Sequence, residues 1–532
     1  MNRQLTGLRA FVLAICLVPA AAAIGTLAVR TGSALSPAGL YLATSGGEPV
    51  SMYNVLKLQR GLPLYQDPRD PPFYPTTLYN AGFYAFYAAA TWPWRHDTAA
   101  VVPAMRLVSL GLQALGVGAS MALALLAWNR RRSPRAAGWA GLAMALAAVA
   151  TCFGPLLGWW TVTTRPDIGA AAFAGIGLVV MIGLGGRRPL AAAAIAGACL
   201  AAAWSFKQSC VLIAGGMVLA AIWQRRYAVA AMLMLPSALV VAAFLAILGP
   251  DYRANVLWAT SLSAFSLANL ARMASLLAVK GGLPLLASAA ALPFLGRAGW
   301  MRREERATLV ACWLTTLLGG LVTSCRTGSE ANYFFELWFV VVLLVMAGVR
   351  LLWDAAESAA SPARVRRARP ALAALGLMVA AWAGLDALRI AGVGDGRLGR
   401  IRLALEPGHR AEVDRAAGLA RRVGGEIYCQ PALSGLALDP PFPMPIFDDY
   451  VYFHRPAAER GLLRGPGLRG LLERHEFPLI VLEARSEEIL AAALAAGYVR
   501  QPGWSYLAVL EPPAPAADAA VAAVMRGAGA DR

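Results

Sequence analysis

Charge is what this sequence lacks. Of its 532 residues only 15% are Asp, Glu, Lys or Arg, against about a quarter in a soluble domain. Hydrophobic residues make up 58% and the mean hydropathy is +0.56. So little polar surface cannot coat a globule, which excludes an ordinary soluble protein. Acidic residues are scarcer than basic ones, 30 against 48. The four histidines (His96, His409, His454 and His475) all fall outside the apolar runs, which excludes a histidine-built metal site within those runs. The seven cysteines are scattered and no CxxC occurs, so neither a zinc site nor a redox motif is indicated.

What the sequence does have is apolar runs. Stretches such as 103–127 and 227–248 are long enough to cross about 30 Å of hydrocarbon. Unbroken runs predict a helical bundle rather than a barrel, whose strands alternate apolar and polar residues. The first run follows Arg3 and Arg9 and continues to Val29, so it reads as an uncleaved first helix and not a signal peptide.

The net charge of +18 would suggest nucleic acid in a soluble protein. Here the arginines cluster at the ends of apolar runs: Arg130, Arg131, Arg132 and Arg135; Arg187 and Arg188; Arg225 and Arg226; Arg297, Arg302, Arg303 and Arg306; Arg364, Arg366, Arg367 and Arg369. The positive-inside rule makes these cytoplasmic anchors, and no nucleic-acid partner is expected. The loop 30–75, the connections near 160–167, 204–208, 249–256 and 325–332, and the tail after a last span at about 370–391 then fall outside.

The aromatic stretch 76–93 fits the membrane interface, and 256–279 is a second interfacial candidate. The expected fold is an all-α polytopic membrane bundle of about eleven spans, or about thirteen if both stretches cross. Three parts are expected: a bundle over 1–394, a small soluble α/β domain over 395–512, and a Pro- and Ala-rich disordered tail over 513–532. Strands are predicted at 426–429, 477–482 and 506–510, with helices at 410–423 and 486–497.

Single charges mark the outer rim, and groups there are candidates for function because charge near a bilayer is costly. The first loop holds Gly47-Glu48-Pro49, Tyr53-Asn54, Asp67 and Asp70. Arg165-Pro166-Asp167 opens a span, where proline and aspartate also suit a plain helix start. Lys207-Gln208 breaks two runs. Arg326 through Glu330, Asn332 and Tyr333 to Glu336 leads into another, with Asn332 and Glu336 one helical turn apart. A carboxylate loop with Arg165, Lys207 and Arg326 is the charge pattern for moving a group off a lipid-linked phosphate.

In this order the motifs resemble those of the GT-C superfamily of membrane glycosyltransferases. The likeness is greatest to the branch of protein O-mannosyltransferases and lipid A aminoarabinose transferases, over residues 1–390. The resemblance implies sugar transfer from a polyprenyl-phosphate donor to an acceptor hydroxyl on lipid, glycan or protein. It also implies inversion at the anomeric centre, on the periplasmic side of a bacterial inner membrane. Glu48 would be the base, with Asp70 as companion, and Arg165, Lys207 and Arg326 would hold the donor phosphate. Tyr53, Asn54, Asp167, Gln208, Glu330, Asn332, Tyr333 and Glu336 would line the substrate site. Relatives often carry an acidic pair where this chain has Gly47-Glu48, which leaves a divalent metal an open question, with Asp67 or Asp70 as the second ligand. Rival readings are a transporter or flippase of lipid-linked glycans, an O-antigen polymerase or ligase, and a non-catalytic receptor.

Overall fold

The computed structural model describes residues 3–358, apart from 46, 71–76, 124–125, 127, 129–133, 298 and 327. It then describes 404–513, apart from 424–426, 430–453 and 485–486, and isolated positions between 378 and 385. The expected span at 370–391, the arginine side chains of 130–135 and 364–369, and the tail lie outside the described residues.

The chain folds into helices α1 (Arg3–Leu35), α2 (Glu48–Gln59), α3 (Ala81–Ala90), α4 (Thr98–Leu123), α5 (Pro134–Cys152), α6 (Pro166–Leu184) and α7 (Pro189–Phe206). There follow α8 (Leu212–Trp223), α9 (Tyr227–Ile247), α10 (Gly249–Arg253), α11 (Leu267–Ala291), α12 (Arg303–Ser324) and α13 (Phe335–Ser358). Among the described residues, 8 helices are long and apolar enough to cross a membrane, and Gly138–Cys152 and Leu212–Trp223 are shorter apolar helices. α13 is the bundle's centre, with 72% of its most apolar window enclosed, whereas α9 has 11% enclosed and lies at the lipid-facing edge.

The aromatic stretch behaves as its composition suggests. α3 has 10 residues, about 15 Å of helix and too short to cross. Half-exposed Trp92 and Trp94 follow it, with the Arg95 guanidinium 4.3 Å from the Trp92 ring, a pairing suited to a headgroup layer. The second interfacial candidate is corrected. α11 runs 25 residues from Leu267 and is long and apolar enough to span; the short helix α10 and the π turn Ala254–Ala259 precede it. Lys280-Gly281-Gly282, which interrupts the apolar run, lies inside one continuous helix.

Side-chain contacts sort the connections onto two faces. On one face Arg226 pairs with Glu304 at 3.6 Å, Arg302 abuts Gly186, and the Trp128 and Trp300 rings are 5.2 Å apart. On the other face Tyr41 donates to Asp414 at 2.7 Å and Arg464 to Asp70 at 3.0 Å, so the first loop and the C-terminal domain share a side.

The C-terminal domain is a four-stranded sheet of order β1-β2-β4-β3: β1 (Tyr428–Cys429), β2 (Ile480–Glu483), β3 (Val499–Arg500) and β4 (Leu507–Glu511). β1 pairs parallel to β2; the other two pairings are antiparallel. Helix Pro407–Val423 covers it through Val413, Ala416 and Ala420, which share a core with Val481 and Val509. The alternation of apolar residues along β2 and β4 feeds two cores, one on each face of the sheet.

Candidate active site

Glu48 opens α2, with Gly47 at the cap and Pro49 in the first turn. Its carboxylate is closed. Oε1 accepts from Arg106 Nε at 3.0 Å and the Thr164 amide at 3.2 Å; Oε2 accepts from Arg106 Nη2 at 3.0 Å and the Thr44 amide at 2.8 Å. Arg106 donates its remaining N–H groups to the carbonyls of Ala34, Gly39 and Leu42, at 2.8, 2.7 and 2.6 Å. Both side chains are 1% exposed. All five guanidinium donors and about four carboxylate lone pairs are therefore used within the protein. Such a group knots α1, α2, α4 and the segment before α6 together, and has no lone pair left for a substrate hydroxyl. The signal for Arg106 was in the sequence, as a lone cation inside an apolar run, the kind of residue kept only with a partner.

Next to this knot lies a second polar group. Arg165 is extended, with φ −144° and ψ 157°, and caps α6. Its guanidinium lies 4.8 Å from the Trp160 ring and 5.6 Å from the Tyr79 ring, and Nη2 donates to the Tyr79 hydroxyl. Nε is 3.3 Å from Asp167 Oδ2, and Nη1 is 3.8 Å from Glu330 Oε2. A methyl group on Gly47 would meet Nη1 at 3.2 Å, so the bare backbone there makes room for the arginine. Asp167 Oδ1 also receives Lys207 Nζ and Asn332 Nδ2, the latter at 2.8 Å. The Lys207 ammonium lies 5.1 Å from the Tyr333 ring. Asp167 is thus more than a helix start, since it joins three segments.

Asp167, Lys207, Asn332, Tyr333 and Glu336 border one pocket. Glu336 is also a helix cap, accepting from the Leu212 and Ile213 amides at 3.2 and 2.8 Å, two of the otherwise unmatched donors of α8. Asn332 and Glu336 reach the pocket although no single helix carries both, because Ala331–Phe334 is a 3-10 turn and α13 starts at Phe335.

Other residues go elsewhere. Arg326 Nη1 donates to the Thr260 carbonyl at 3.4 Å and stacks on Phe265 at 5.6 Å; among the described residues it has no contact with Arg165 or Lys207. Gln208 donates to the Leu78 carbonyl at 2.7 Å. Asn54 accepts from Thr77 at 3.2 Å, and Tyr53 lies beside Lys57, 6.0 Å from its ring centre; both serve the packing of the first loop. Asp70 accepts from Arg464 at 3.0 and 3.1 Å, away from Glu48. Asp67 is held by Arg69 and Arg464, and the Arg69 hydrogen bond draws its carboxyl below the usual range. Among the described residues no three His, Cys, Asp or Glu side chains converge. With each first-loop carboxylate taken by an arginine, these residues do not fit a divalent ion.

No protein-family model and no curated protein sequence matches the chain. Solved structures do. ArnT of Cupriavidus metallidurans in the apo state superposes with TM-score 0.51 at 14% identity, over 92% of this chain and 98% of that one. The same protein bound to undecaprenyl phosphate gives TM-score 0.51 at 14% identity, over 92% and 97%. The oligosaccharyltransferase of Archaeoglobus fulgidus gives 0.46 at 11% identity, over 91% and 74%. With its bundle and small α/β domain matched along almost the full length of ArnT, the chain has the fold of the GT-C membrane glycosyltransferases.

Proposed function

We propose that the chain is a glycosyltransferase that moves a sugar from a polyprenyl-phosphate donor to an acceptor hydroxyl. The observation that carries this reading is the buried meeting of Arg165, Asp167, Lys207 and Asn332 at the ends of helices, on the face shared with the C-terminal domain. Undecaprenyl phosphate bound to a protein of the same fold supports the donor class. The opposite face carries Arg226, Arg302 and Arg303, which the positive-inside rule makes cytoplasmic. The pocket then faces the periplasm of a bacterium.

In this reading Lys207 and Arg165 stabilise the phosphate as the glycosidic bond breaks and negative charge builds on its oxygen. The acceptor oxygen attacks the anomeric carbon from the opposite side, and its proton passes to a carboxylate, so the configuration inverts. Glu48, expected to be that base, is enclosed by four donors, and we reassign it to positioning. Glu330 is the candidate instead. Its side chain is 38% exposed; Oε2 is buried 3.8 Å from Arg165 Nη1 and, among the described residues, makes no hydrogen bond, so the carboxylate is far less enclosed than that of Glu48. Arg326 is left out of the phosphate site because it is committed to Thr260 and Phe265.

The test uses the purified full-length protein with a panel of polyprenyl-phosphate pentoses and hexoses. Release of polyprenyl phosphate together with a glycosylated acceptor is expected, lost in Lys207→Ala. Donor that binds or crosses a vesicle membrane but is never cleaved would sink the reading and favour a carrier. Placement of the charges at helix ends rather than near the midplane argues against a carrier.

A further inference from the structure

The pocket beside Lys207 holds more hydrogen-bond acceptors than the protein satisfies. Asn332 Nδ2 donates to Asp167 Oδ1 at 2.8 Å. Rotating that amide would set its oxygen against a carboxylate, so the assignment of nitrogen and oxygen is fixed. Its Oδ1 is then buried, and among the described residues it accepts nothing. Asp167 Oδ2 is in the same condition. Arg165 Nε is 3.3 Å away, yet both atoms are buried without a hydrogen bond, because the N–H does not point along the line between them. Asp167 is 3% exposed, and both residues border the pocket. Buried acceptors are paired in nearly all native structures, so Asn332 Oδ1 awaits a donor, and Asp167 Oδ2, held by Arg165 only as an ion pair, has lone pairs left for another.

The chemistry of that donor is constrained. An ionised phosphodiester offers acceptors only and can satisfy neither oxygen. Sugar hydroxyls can, one to each oxygen, since a hydroxyl donates its one O–H while its own oxygen stays free for a neighbouring N–H. Lys207 Nζ and Asn332 Nδ2 meet on the same Asp167 oxygen, so the donor group suited to phosphate and the acceptor suited to hydroxyl are adjacent. The Tyr333 ring, 5.1 Å from the ammonium, adds an apolar wall.

We infer that Asn332 Oδ1 and Asp167 Oδ2 form a subsite for hydroxyls of the transferred sugar, with Asn332 as a residue that selects which hydroxylated sugar is accepted. The inference rests on the function proposed above. A site built to bind a hydroxyl rejects the analogue lacking it, because its own buried oxygen is then left unpaired.

The experiment takes a polyprenyl-phosphate sugar that the wild-type protein cleaves and compares it with the analogues lacking one ring hydroxyl each. Wild type should discriminate against one deoxy donor by roughly 10²-fold or more in kcat/KM. Asn332→Ala should be slower with the parent donor and lose that discrimination, while it binds sugar-free undecaprenyl phosphate as wild type does. Asn332→Ser provides a second variant if the alanine protein is poorly folded. Equal discrimination in variant and wild type would overturn the inference and leave the transferase reading standing, as would a wild type indifferent to every single deoxy position. A wild type that cleaves no donor in the panel would remove both.

Discussion

Arg106 and Glu48 lock each other in a bidentate pair, Nε to Oε1 and Nη2 to Oε2, both at 3.0 Å, with each side chain 1% exposed. The pair ties the C-terminal end of α1 to α2 and α4. Removing one partner leaves an uncompensated buried charge, at a cost of roughly 3–5 kcal/mol. Arg106→Leu and Glu48→Leu should each lower the melting temperature in detergent sharply, and the double variant should lose less than the sum of the two. Glu48→Gln tests the base role separately. A protein as stable as wild type but slower by roughly 10²-fold or more would restore Glu48 as the base.

Lys207 and Arg165 are predicted to bind the donor phosphate, and Arg326 is predicted not to. Loss of one charge-assisted hydrogen bond costs roughly 1.5–3 kcal/mol, or about 10–150-fold in affinity. Lys207→Ala and Arg165→Ala should weaken undecaprenyl phosphate binding by that factor, measured by calorimetry in micelles. Arg326→Ala should bind as wild type does. Equal weakening by all three would put Arg326 back into the phosphate site.

Much of this arrangement was legible in the sequence because membranes impose simple rules. Run length marked most of the long apolar helices and aromatic content separated the short α3 from them, but the Lys280-Gly281-Gly282 break hid α11. Apolar strand-forming residues marked β1, β2 and β4, while β3 at Val499–Arg500, with both residues exposed, carried no apolar signal. Pairing was not legible. Nothing in the spacing of Glu48 and Arg106, 58 positions apart, says that they meet, so an isolated carboxylate in a glycine turn resembled a free base. Asp70 was drawn to the site by its place in the loop, but Arg464, 394 positions away, holds it at the domain contact. Asp167 could be read locally as a helix start because its partners Lys207 and Asn332 arrive from 40 and 165 positions away.

The contact between the C-terminal domain and the first loop should loosen in acid. Arg464 reaches Asp67 at 3.4 Å and Asp70 at 3.0 Å, and its backbone amide donates to the Arg69 carbonyl at 2.9 Å. The Arg69 hydrogen bond within the loop is the main cause of the lowered Asp67 pKa in the folded protein, and the Arg464 charge across the contact adds to it. The stabilisation from this carboxylate is thus present above the ordinary aspartate range and is lost as pH falls through the depressed value. Limited proteolysis should cut the C-terminal domain faster below that range than at neutral pH. Arg464→Ala should cut faster already at neutral pH. A neutral-pH cleavage rate unaffected by Arg464→Ala would show that Ala457 and Leu463, packed near Trp258 and Leu262, hold the domain without the ion pairs.

Gly47 offers the last test, since the resemblance expects an acidic residue there. Its backbone has φ −91° and ψ 4°, open to any residue, so a substitution acts through contact alone. A methyl group would stand 3.2 Å from Arg165 Nη1, close enough that the guanidinium must shift by a few tenths of an ångström between the Trp160 and Tyr79 rings. Gly47→Ala should therefore weaken donor binding modestly. Gly47→Asp adds a carboxylate beside the same guanidinium. The new anion would occupy the N–H groups assigned to the donor phosphate and repel the phosphate itself, so the donor KM should rise by about 10–150-fold. Gly47→Asn, with the same shape and no charge, separates the two effects and should resemble alanine. If Asp and Asn variants bind undecaprenyl phosphate equally, charge at this position is irrelevant and Arg165 is not a phosphate ligand. If the Asp variant alone gains activity on addition of a divalent ion, the loop can hold a metal once the acidic pair is restored, and the arginine-bound carboxylates would have to rearrange to allow it.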